Sequence, residues 1–135
     1  MFRTLNKYAK LQLIFMTITV LQALSIVLLF FGESLAIYFE IAGANKVVSQ
    51  NKISNKIFLE FFILIAIAGA LLISGYFIGI LVFKNIWIVS VISIVSILIV
   101  EPILAYFIFK QFPATGALIG FVLGVIGLIV TLVIK

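Results

Sequence analysis

The sequence predicts an all-α membrane protein, a bundle of four transmembrane helices forming a single domain over residues 1–135. Three observations predict it. Of 135 residues, 66% are apolar and 10% charged, where soluble domains have about 45–50% and about 25%. Mean hydropathy is +1.47. Four apolar stretches each reach the ~20 residues that a helix needs to cross a hydrocarbon core of about 30 Å.

The first stretch starts at Leu11 and runs at least to Phe31. Gly32 and Glu33 then interrupt it, and Leu35 to Phe39 resume it. Two readings stand: one overlong helix from Leu11 to Ala44, about 50 Å at helical rise, or a break at Gly32 followed by a short interfacial helix. The run is longer than the 7–15 apolar residues of a secretory signal, so the segment reads as a retained helix. The second stretch runs from Ile57 to Phe83, the third from Ile86 to Phe109 and the fourth from Ala114 to Ile134. Membrane β-strands would be about 10 residues long with alternating polarity; these runs are longer and apolar on every side. Lys84-Asn85 joins helices two and three. Lys110 to Pro113 joins three and four, with Pro113 suited to a helix start. Residues 45–56 form the one substantial loop.

Composition removes whole classes of chemistry. The chain has no Cys and no His, hence no disulfide, thiolate or imidazole metal site, and no Ser-His-Asp or Cys-His catalysis. Aspartate is absent as well, and the only acids are Glu33, Glu40, Glu60 and Glu101. No metal spacing, phosphate loop or nucleophile elbow is present. The expectation is a protein that is not an enzyme and holds no cofactor. The net charge of +5 comes from Arg3, Lys7, Lys10, Lys46, Lys52, Lys56, Lys84, Lys110 and Lys135. They lie beside the apolar stretches, so they read as anchors to anionic headgroups rather than a nucleic-acid surface. Arg3, Lys7, Lys10, Lys84 and Lys135 fall on one side and the other four on the opposite side. This slight excess places both termini of a multi-pass cell-membrane protein in the cytoplasm.

Acids inside spans are costly and usually functional. Glu101 lies nine residues before Lys110, about 14 Å deep at helical rise, and is expected to face the protein interior. Pro102 should kink helix three, because it lacks an N–H and crowds the preceding turn. Ser90 and Ser93 give that helix a sparse polar face, suited to a cavity or to close packing. Glu33 and Glu40 lie within about 20° of one line with Gln22 on a helical wheel, so at least one enters the bilayer if helix one is continuous. Glu60 reads as a surface partner of Lys56. Gly116, Gly120, Gly124 and Gly127 make a small-residue stripe for close helix contact, and Gly75 and Gly79 make a lesser one with Ala68. Trp87 reads as an interface anchor. Tyr38, Tyr76 and Tyr106 could stack on a cationic ligand.

The run Glu101-Pro102-Ile103-Leu104-Ala105, the polar turn after Phe109, and the Gly116, Gly120, Gly124, Gly127 series together resemble the last two helices of the drug/metabolite transporter superfamily. Its smallest members are the small multidrug resistance transporters. The resemblance covers residues 87–134, about a third of the chain. It implies a small four-helix transporter or flippase subunit, acting as an oligomer, with a membrane carboxylate coupling proton movement to a cationic or amphiphilic substrate. The residues alone fit a second reading equally: a non-catalytic accessory subunit of a larger membrane complex, such as an energy-converting assembly, docked through its glycine face and its intramembrane acids.

Overall fold

The computed structural model describes the backbone of residues 2–133, and the side-chain surroundings of residue 12 and residues 14–130. Ile134 and Lys135 lie outside the described residues, as do the side chains of Arg3, Lys7 and Lys10. Four helices follow in order: α1 (Phe2–Gln50), α2 (Asn55–Phe83), α3 (Ile86–Phe109) and α4 (Thr115–Val133). No strand occurs among the described residues. In hydrocarbon, backbone groups have no water to bond, and a helix satisfies them within one segment. The hydroxyls follow the same rule: Thr19, Ser34, Ser74 and Ser96 each donate to the carbonyl four residues back, at 2.6–3.0 Å.

Helix one is continuous. Of the two readings, the break at Gly32 is excluded, and the loop expected over residues 45–56 shrinks to residues 51–54 because α1 runs on to Gln50. At 49 residues α1 is about 74 Å long. Gly32 is not a breaker but a contact. A Cβ placed on it would sit 2.8 Å from Leu72 Cγ and 3.1 Å from the Leu72 backbone nitrogen.

That contact belongs to a series. Ser25 faces Gly79, Leu29 faces Gly75, Gly32 faces Leu72 and Gly43 faces Phe61. The two residue numbers of every pair add to one constant, as an antiparallel pair in fixed register requires. The register sets Ala36 opposite Ala68, and both are buried. Small residues on each side meet larger ones on the other, so the backbones approach closely. In lipid this packing is the main force between helices, since there is no apolar surface to hide from water. Ser25 Oγ, fully buried, donates to the Gly75 carbonyl at 2.8 Å and ties the two helices together. At the other end Lys46 bridges to Glu60 at 2.9 Å and lies 5.5 Å from the Phe61 ring centroid. Glu60 therefore pairs with Lys46 on α1 rather than with Lys56 on its own helix.

The α2–α3 turn takes two residues. Lys84 adopts the left-handed conformation (φ 52°) and its N–H reaches the Ile80 carbonyl at 3.0 Å, which closes α2. Asn85 is extended and its side chain accepts from the Trp87 N–H at 2.9 Å, which opens α3. These are the C-cap and N-cap devices that supply partners to orphan backbone groups. The turn lays α3 against α1 and α2, with Val89, Ser93, Ser96 and Val100 buried. Val89 meets Gly79 beside Ser25, where the three helices converge. α3 continues as helix through Pro102.

α4 is placed differently. Among the described residues it packs on α3 alone, with Gly124 against Leu98. Three helices thus form a packed unit, and α4 lies along the outer side of α3. At Gly116, Gly120 and Gly127 a methyl group would meet no neighbour within 4 Å. The expectation that Gly120 touches another helix within the chain is not met, because the stripe points away from α3; the close contacts are made by Gly75 and Gly79.

These contacts predict opposite outcomes for two glycines. Gly75→Leu should overpack against Leu29 and destabilise the chain by about 1–3 kcal/mol. Gly120→Ala should change it by less than about 0.5 kcal/mol. Thermal unfolding in mild detergent, followed by circular dichroism, checks both; equal effects at the two sites would contradict the packing described.

Candidate functional site: an intramembrane carboxylate held by serine

The α1–α2 register fixes depth. The middle residue of α2, Gly69, is level with Leu35 of α1, and Phe83, where α2 ends, is level with Leu21. Glu33 therefore lies about 3 Å along the axis from the mid-level of α2, and Glu40 about 8 Å on the other side. Both acids of α1 are inside the apolar band that α2 defines. Residues of α1 before Leu21 reach past the α2–α3 turn.

The two acids have different surroundings. Glu33 is half-buried and turned to α3, where the buried Ser93 donates its hydroxyl to Glu33 Oε1. Glu40 is exposed and borders an apolar groove between α1 and α2 lined by Phe39, Phe58, Phe61 and Phe62. Beside the Glu33–Ser93 contact, Ile26, Val27, Phe30 and Phe31 of α1 and Ile88, Val91, Ile92, Val95 and Ser96 of α3 line a second groove of about 420 Å³. No buried side-chain nitrogen or oxygen lacks a partner among the described residues.

Glu101 departs from expectation. It is exposed rather than interior, because Val100 and Ser96 are the α3 residues that face the packed unit. Glu101 instead borders a wedge of about 380 Å³ between α3 and α4, with Pro102, Ala105, Tyr106, Phe109, Gln111, Phe112, Pro113, Ala114 and Phe121. Ser90 is partly exposed, and Ser93 serves Glu33 rather than Glu101. The structure thus divides the expected cluster between two places. Glu33 and Ser93 are together; Glu101 and Pro102 are together elsewhere; Glu40 stands apart. Tyr106 joins the Glu101 wedge, with its ring centroid 4.9 Å from that of Phe112.

Sequence reasoning missed the small residues of α1. Ser25, Gly32, Ala36 and Gly43 recur at helical spacing and form the face that receives α2. The spacing was the available signal, and it was hidden by reading Gly32 as an interruption. No group of three or more metal-ligating side chains exists among the described residues.

With three helices long and apolar enough to cross a membrane and a fourth apolar helix that is shorter, the chain is an all-α integral membrane protein of four helices. Compared with protein-family models, with curated proteins and with solved structures, it matches none.

A hydroxyl bonded to a carboxylate across helices within lipid contributes about 0.6 kcal/mol on average, and up to about 1.7. Ser93→Ala and Glu33→Gln should couple by that order in a double-mutant cycle on unfolding free energy. Ser93→Ala paired with Glu40→Gln should be additive within about 0.5 kcal/mol. Coupling of Ser93 to Glu40 instead would place the wrong acid at α3.

Proposed function

We propose that the chain is a small membrane transporter or flippase subunit, working with a second copy or a similar subunit, in which Glu33 exchanges the proton that drives movement of a cationic or amphiphilic substrate. It has no catalytic role of its own. Its place in this reading is the cell membrane, with both termini cytoplasmic.

The observation that carries the reading is the partner of Glu33. An acid at this depth is costly when charged, by about 2.5–3.5 kcal/mol on insertion scales. A lysine partner would hold it permanently as an ion pair. A serine hydroxyl instead donates to the carboxylate and can equally accept from the protonated acid. The contact therefore survives gain and loss of a proton, as a proton carrier needs. All lysines and the arginine lie outside the apolar stretches, so no base in this chain competes for the role.

The open face of α4 favours a second reading, the accessory subunit. Gly116, Gly120 and Gly127 leave open space beside them, and another subunit's helix would fill that face. In that case Glu33 and Ser93 serve to hold α1 to α3.

Proton uptake into proteoliposomes separates the readings. The transporter reading predicts flux above empty liposomes for the wild type and loss of it in Glu33→Gln, with the purified chain assembling with itself by native mass measurement. Equal flux in wild type, Glu33→Gln and empty liposomes would end the proton-carrier role.

A further inference from the structure

We infer that the wedge between α3 and α4 is a binding site for a hydrophobic organic cation that enters from the lipid. Glu101 supplies the charge. It lies within α3, eight residues before the last, Phe109, hence about 12 Å inside the helix end. It is exposed to the wedge. Lys110, the basic residue nearest in sequence, has its ammonium 5.5 Å from the Phe107 ring centroid. Every other basic residue also lies outside the apolar stretches. A second copy has the same sequence and offers no base at this depth either. The countercharge must come from a different molecule.

The walls define what that molecule is. Tyr106, Phe109, Phe112 and Phe121 line the cavity, and aromatic faces attract a cation through the ring quadrupole. One carboxylate among apolar walls suits a monovalent organic ion. A divalent metal ion asks for six or more oxygen ligands, which this lining lacks. A volume of about 380 Å³ falls in the range of small-molecule pockets, about 300–1,000 Å³. A helix, about 10 Å across, does not fit inside it. The connection between the helices, with Gln111 and Phe112, lines the end near the membrane surface. α4 touches α3 alone among the described residues, so the flanks of the wedge open to lipid.

The inference rests on the transporter reading for the role of the site, as the place where substrate is held apart from the Glu33 proton position. Occupancy itself is measured without transport. The full-length chain in lipid nanodiscs is titrated with tetraphenylphosphonium, and with tetraphenylborate as an anion of the same shape. Saturable binding of the cation alone is expected, at one per chain. Glu101→Gln should weaken it at least about tenfold. Tyr106→Leu should weaken it less, and Glu33→Gln should leave it unchanged. Non-saturable partition that is equal in wild type and Glu101→Gln overturns the site. So does binding lost in Glu33→Gln and kept in Glu101→Gln. Either failure leaves the Glu33 proton flux as a separate result.

Discussion

The close approach of α1 to α2 determines the rest of this structure. Gly32 and Gly43 on one helix, and Gly75 and Gly79 on the other, each stand where a methyl group would come within about 3 Å of the facing residue. Larger residues at those points would separate the helices or shift them along each other. A shift of one residue would turn Ser25 away from the Gly75 carbonyl that it bonds. It would also change the level of every side chain on α1. The position of Glu33, near the mid-level of α2 and toward Ser93 of α3, is thus a consequence of glycines that never touch it.

The forces at the two ends of this pair differ in kind. At the Ser25 end the bond is buried, and a hydroxyl left there without a partner would cost about 1–3 kcal/mol. At the Lys46 end the ion pair is partly exposed, with the side chains 37% and 45% accessible. Such pairs contribute about 0–1 kcal/mol. Register is therefore held mainly by packing and by the buried serine, with the salt bridge as a marker of the membrane edge. α4 lacks both devices. It meets α3 through Gly124 and Leu98, and its connection leaves room for the wedge beside Glu101.

The four helices were legible because each rests on a property that survives without tertiary context: a long apolar run ended by a cap or a polar turn. Lys84-Asn85 shows this well, since one residue closes a helix and the next opens another. The extent of α1 was open in the sequence, because glycine in a membrane helix is as often a packing residue as a breaker, and only the presence of Leu72 opposite Gly32 decides. The acids were legible as a set but not in their roles. Depth along α3 gave Glu101 its prominence, whereas direction around the helix decides exposure, and the near-uniform apolarity of α3 carries little directional signal. Ser93 was singled out for the right property, a polar atom on a buried face, and assigned to the wrong acid. The α4 glycines and the α2 glycines look alike in sequence; which stripe is filled depends on which helix lies beside it.

Because the chain has no cysteine, cross-linking between introduced pairs in native membranes tests the register directly. Ala36→Cys with Ala68→Cys should form a disulfide readily, and Ala36→Cys with Gly75→Cys, two helical turns out of step, should not. Efficient cross-linking of the second pair, with the first left reduced, would contradict the register and with it the placement of Glu33 against Ser93.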